Sequence, residues 1–165
     1  MPFLDPATGH LNLKIALYGP DAAENARRLR AAHARSPGRP VLRQVHGDGS
    51  VFPPGATVLF FDDPIEAPPF HGHPLHMHLY AFEGAPEASH LSVLLLGVDG
   101  VVFVPGPLAT TPIATRENLR AFLAQADHKL PTVLVDASPE EDDSSPIARV
   151  VAAVMDVLAE HVVDR

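Results

Sequence analysis

The sequence predicts an α/β, three-layer fold: a mostly parallel sheet with helices on both faces and one antiparallel edge hairpin. Three observations predict it. Apolar runs alternate with helical patterns along the chain. Later runs such as Val101 to Val104 are continuously apolar, as strands covered on both faces are. A helical pattern separates most of them, and parallel neighbours need such a crossover.

Leu13 to Tyr18 (LKIALY) reads as a buried strand, followed by a helix from about Ala22 to Arg35. A Pro/Gly-rich connection leads to a second strand at Thr57 to Phe61. Leu75 to Phe82 (LHMHLYAF) alternates and forms a third. No helical pattern separates the second and third strands, so they pair as a hairpin. Ser89 to Leu96 has a helical pattern, and Val101 to Val104 is the fourth strand. Thr111-Pro112 supplies an N-cap and a proline start for a helix whose apolar face is Leu119, Phe122, Leu123 and Ala126. Thr132 to Val135 is the fifth strand, and Pro139 to Ser145 an acidic turn. Ser145-Pro146 repeats the cap-plus-proline start of a last helix lined by Ile147, Val150, Val151, Val154, Leu158 and Val162. The expectation is about five strands in one domain over residues 1–165.

With 165 residues, 46% of them hydrophobic, the chain suits one core. No apolar run approaches the roughly 18 residues of a membrane helix. MPFLDPATGH carries neither a basic n-region nor an apolar h-region, so the expected location is the cytoplasm. The absence of cysteine excludes disulfides, thiolate catalysis and Cys-based zinc sites. A net charge of −8 argues against nucleic-acid binding, which rests on neutralising phosphates. The arginines at positions 27, 28, 30, 35, 39 and 43 form a local basic patch, read as a solvated face.

LYGPDAAENAR (Leu17 to Arg27) stands between the first strand and the first helix, where a nucleotide-binding protein keeps its phosphate loop. Such a loop reads G-x-x-x-x-G-K-[ST], with glycines freeing backbone N–H groups, a lysine for charge and a hydroxyl for magnesium. Gly19 keeps the first glycine, but Glu24, Asn25 and Ala26 occupy the second glycine, lysine and hydroxyl positions. Two like charges about 4 Å apart repel by about 4 kcal/mol at an effective dielectric of about 20. Losing the lysine and gaining Glu24 therefore reinforce each other against a phosphate.

Several strings resemble the small Ras-like GTPases, in particular the bacterial MglA type of gliding motility and cell polarity. They are KIALYGP (Lys14 to Pro20), VLFFD (Val58 to Asp62), HLY (His78 to Tyr80) followed by Gly84, GVDGVVFV (Gly97 to Val104) and RENLRAFL (Arg116 to Leu123). They span roughly Leu13 to Val135 and identify a scaffold rather than an activity. The remaining family motifs are altered too. FEGAPEA, around Gly84, has no Gln to orient a water, and the guanine-reading [NT]-K-x-D is replaced by TVLVDASPEE, where Asp136 is the acid near the strand end. The chain has no room for the family's next helix, sixth strand and base-contacting loop. The resemblance therefore implies a shortened pseudo-GTPase.

Asp21 and Glu24 have a role that needs no ligand: carboxylates in a first helical turn satisfy the positive end of the helix. Glu24 also reaches Arg28 at i,i+4. His71, His73, His76 and His78 form H-x-H-x-x-H-x-H, a candidate His-only metal site. Against it stand Pro74, the lack of an acid in the run, and the match of His78 to an ordinary histidine of the family's third strand. No G-x-S-x-G supports a serine hydrolase. Glu140, Glu141, Asp142 and Asp143 read as a solvated turn.

The expected function is a non-enzymatic interaction module with no cofactor, fixed in one conformation. The segments matching the family's switches, about Pro64 to Pro74 and Glu83 to Ser89, would be its partner surface, with Ile65, Phe70, His71, His73, Glu83, Gly84 and Glu87 as contacts. The resemblance implies a roadblock-type protein or a working MglA-type GTPase as partner, in polarity or motility signalling. Two other readings are an unconventional nucleotide-binding GTPase or ATPase, in which the Arg-rich helix or Lys14 replaces the missing lysine, and a His-cluster metal-binding protein. Val157 and Val163 are spare apolar positions for self-association.

Overall fold

The computed structural model describes residues 3–34, 41–50, 54, 56–61, 64–83, 90–105, 113–125, 132–138, 142 and 145–163. Four parallel strands form its centre: β2 (Leu11–Tyr18), β6 (His73–Phe82), β7 (Gly100–Phe103) and β8 (Val133–Asp136). They lie in the order β6-β2-β7-β8. Leu11 to Leu17 of β2 run opposite Leu75 to Ala81 of β6, and Ile15 to Tyr18 run opposite Gly100 to Phe103. Beyond β6, the sheet turns antiparallel with β4 (Thr57–Phe61) and then β3 (Leu42–His46). Two short strands share flanks: β1 (Phe3–Leu4) pairs with the start of β2, and β5 (Ile65–Phe70) with the start of β6.

The period of two along each strand sends alternate side chains to opposite helical layers. Leu13, Ile15 and Leu17 of β2 and Leu75, Leu79 and Ala81 of β6 face one core. Ala26 and Leu29 of α1 (Ala22–Ala34) and Ile147, Val150 and Val154 of α4 (Ser145–Val163) close it. Ala16, Tyr18, Tyr80 and Phe82 face the second core. Leu91 and Leu94 of α2 (Leu91–Leu94) and Leu119 of α3 (Ile113–Gln125) cover that side. Leu29 and Leu119 are fully buried, each contributing about 2 kcal/mol by leaving water. The three-layer α/β expectation holds, and all five anticipated strands form within a few residues of their expected bounds.

The count of five does not hold. Among the described residues the sheet has eight strands, the extra three being β1, β3 and β5. The antiparallel part is correspondingly larger than one hairpin. The β4–β6 pairing is antiparallel as anticipated, but β5 lies between those strands in the chain. Ile65 to Phe70, anticipated as part of a switch-like loop, is a strand despite Pro68 and Pro69. Proline cannot donate to a ladder, and the register with β6 shifts between Ala67 and Phe70. His71 and Gly72 then both take positive φ (48° and 81°), as a two-residue type I′ hairpin turn requires. The expected helix start at Thr111-Pro112, together with Arg35, Ala126 and Pro139 to Glu141, lies outside the described residues.

Candidate functional site

The C-terminal ends of the parallel strands are where open α/β sheets bind ligands, and the loop from Gly19 to Asn25 lies there. Gly19 is required by packing: a Cβ on it would stand 1.9 Å from the Val104 carbonyl oxygen. Val104 N–H in turn donates to Tyr18 O at 2.8 Å. This first glycine of the phosphate motif therefore seats the end of β2 against the chain leaving β7.

Asp21 caps α1, its Oδ1 accepting from Glu24 N–H at 3.0 Å. This bears out its expected role at the helix end. Glu24 behaves differently. Its carboxylate is held by Arg27 through two bonds of 2.8 and 2.7 Å and accepts from Arg28 Nε at 3.0 Å. The Arg27 and Arg28 guanidiniums hold the Glu24 carboxyl below the usual glutamate range. Glu24 stands in the first turn of α1, and its expected i,i+4 contact with Arg28 forms. Arg28, only 3% exposed, continues across to the Ser138 carbonyl at 3.1 Å. The bridge joins α1 to the segment after β8.

Asn25, at the lysine position, is completely buried. Its Nδ2 donates to Gly19 O at 3.0 Å and to Phe82 O at 3.1 Å. One side chain thus ties the loop to the end of β6, immediately before Glu83. Among the described residues its Oδ1 has no hydrogen-bond partner. Ala26, at the magnesium-ligand position, is packed in the core. Sequence reasoning counted Asn25 only as a lost charge, because its second acceptor lies 57 residues away.

Asp136 ends β8 and is gripped by Arg116 of α3 through bonds of 2.7 and 2.5 Å, while Arg149 of α4 donates to its carbonyl at 2.7 Å. Lys14, considered as a substitute for the missing lysine, is not near the loop. Its ammonium donates to Leu96 O at 2.8 Å and lies 5.1 Å from the centre of the Tyr80 ring. Burial lowers its pKa.

The four histidines divide. His71 is in the hairpin turn, and His73 Nδ1 stands 3.3 Å from Gly9 O. His76 packs edge-on against His10 at 4.1 Å, and His78 Nε2 stands 3.0 Å from Asn12 Oδ1. Among the described residues no group of three or more His, Asp or Glu could hold a metal ion. The partner candidates divide too. Ile65 pairs with Met77, and Phe70, His71 and His73 form the hairpin tip. Glu83, whose Oε1 accepts from Gln44 at 3.0 Å, is at the other end of β6, roughly 30 Å away at about 3.3 Å per residue. Gly84 and Glu87 lie outside the described residues.

No protein-family model matches the chain, and no curated protein matches it. Among the described residues, no helix is long and apolar enough to cross a membrane.

Proposed function

We propose that the chain is a non-catalytic interaction module on a Ras-like scaffold similar to that of the MglA-type GTPases, held in one conformation without nucleotide. The observation that supports this best is Asn25, which occupies the lysine position and spends its amide donors on Gly19 O and Phe82 O. In the GTPases that the sequence resembles, nucleotide links the phosphate loop to the switch that follows the third strand. Here a side chain makes that link. The Glu24–Arg28–Ser138 bridge makes a second one toward the base-reading side. The partners that the resemblance implies, a roadblock-type protein or a working MglA-type GTPase, would bind a surface that does not switch.

Calorimetric titration of the chain with GTP, GDP and ATP in the presence of magnesium tests it. The expected result is no heat of binding, and micromolar affinity for any of them would overturn the proposal. Capture of partners from the native cell, expected to be the same with or without added nucleotide, tests the interaction role.

A further inference from the structure

A cleft of about 710 Å³ opens on the α2 side of the sheet, and none of residues 19–25 lines it. It lies beside the four-residue α2, whose Val93 and Leu94 line it. Val58 and Phe60 of β4 and Val93 and Leu94 of α2 give it apolar walls. The volume is that of a small-molecule site. Apolar walls of this kind favour an apolar ligand segment such as an alkyl chain.

Among the described residues, Lys14 is the lysine that lines this cleft. The Lys14 ammonium has three donors, and among the described residues it makes one hydrogen bond, to Leu96 O. Among the same residues no carboxylate stands within ion-pair distance of it. The Asp99 carboxylate lines the cleft as well, but its Oδ2 accepts from the Lys14 backbone N–H at 2.8 Å. Asp99 attracts the ammonium without forming an ion pair with it, and an ammonium partly removed from water with two donors unspent favours an acceptor beside it, an anion most of all.

We propose that the cleft binds a single-chain amphiphile with an anionic head, its alkyl chain between α2 and β4 and its head on Lys14. This does not depend on the loss of nucleotide chemistry. The geometry provides an apolar slot that ends at a cation with donors to spare, and binding would cover Val93, which is 46% exposed.

The test uses dodecanoate, dodecanol and dodecyltrimethylammonium below their micelle concentrations, titrated against the intact chain by displacement of an anilinonaphthalene sulfonate dye. Dodecanoate is expected to bind about tenfold tighter than the alcohol, the scale of a charge-assisted hydrogen bond. The quaternary amine is expected to be weakest. Lys14→Met keeps the aliphatic stem and should remove the preference for dodecanoate while leaving dodecanol binding unchanged. Val93→Asp, at the exposed rim, should weaken dodecanoate and dodecanol. Binding of dodecanoate alone assigns the site to free acids; Lys14-dependent sedimentation with phosphatidylglycerol vesicles assigns it to membrane lipid. Absence of dodecanoate binding, equal binding of anion and cation, or an unchanged preference in Lys14→Met would each overturn the proposal.

Discussion

The strand-end loop and the α2-side cleft treat their polar groups in opposite ways. At the strand ends, the side chains of Asp21, Glu24, Arg28, Arg116 and Asp136 and the amide donors of Asn25 are committed to one another or to nearby backbone. In the cleft, the Lys14 ammonium holds a single carbonyl at the end of an apolar slot. The position where the sequence suggested a phosphate loop is closed by its own side chains. The position that no motif marked is the one with donors to spare. A ligand site is better recognised by unspent hydrogen-bonding capacity than by its place in a fold.

Four substitutions probe this contrast. Gly19→Ala should cost most, because its Cβ must displace the Val104 carbonyl; about 3 kcal/mol, or roughly 10 °C in melting temperature, is expected. A stable Gly19→Ala would mean that the loop is not packed as tightly as the contrast requires. Asn25→Ala should cost about 2 kcal/mol in urea denaturation, by stranding two buried carbonyls. If it costs nothing, Asn25 is no brace and the closed end loses its main tie.

Glu24→Gln should cost about 0.5–1 kcal/mol at neutral pH, as an ion pair partly open to solvent does. The Glu24 pKa is depressed by folding, so its contribution is fully present above the ordinary value of 4.5 and fades as pH falls through the lower folded value. Wild type and Glu24→Gln should therefore converge in acid, as thermal unfolding across that range would show. Lys14→Met should change stability least, by no more than about 0.5 kcal/mol. A large loss there would show that Lys14 is structural and remove the asymmetry between the two regions.

The sheet's centre was legible because strands buried on both faces are written as apolar runs, KIALY and GVVFV among them. The strands that were missed carry weaker signals. In β3, the sequence LRQVH has exposed Arg43, Gln44 and His46, as an edge strand allows. In β5, two prolines read as a loop until the register shift beside β6 accommodates them. The site was legible only as a set of losses. What Asn25 and Arg28 gained depends on Phe82 and Ser138, 57 and 110 positions away, and no local pattern records such pairs. Lys14 was noted for its charge, but the cleft around it is assembled from β4, β6 and α2 together.

The ten residues of β6 have one continuous neighbour in β2, but the other flank is divided between β4, opposite Tyr80 to Phe82, and β5, opposite His73 to Met77. The two pieces are anchored separately, so β5 can detach without carrying β4 along. Amide exchange should divide at this seam, faster toward the hairpin tip and slower toward Asn25, giving one strand two protection levels.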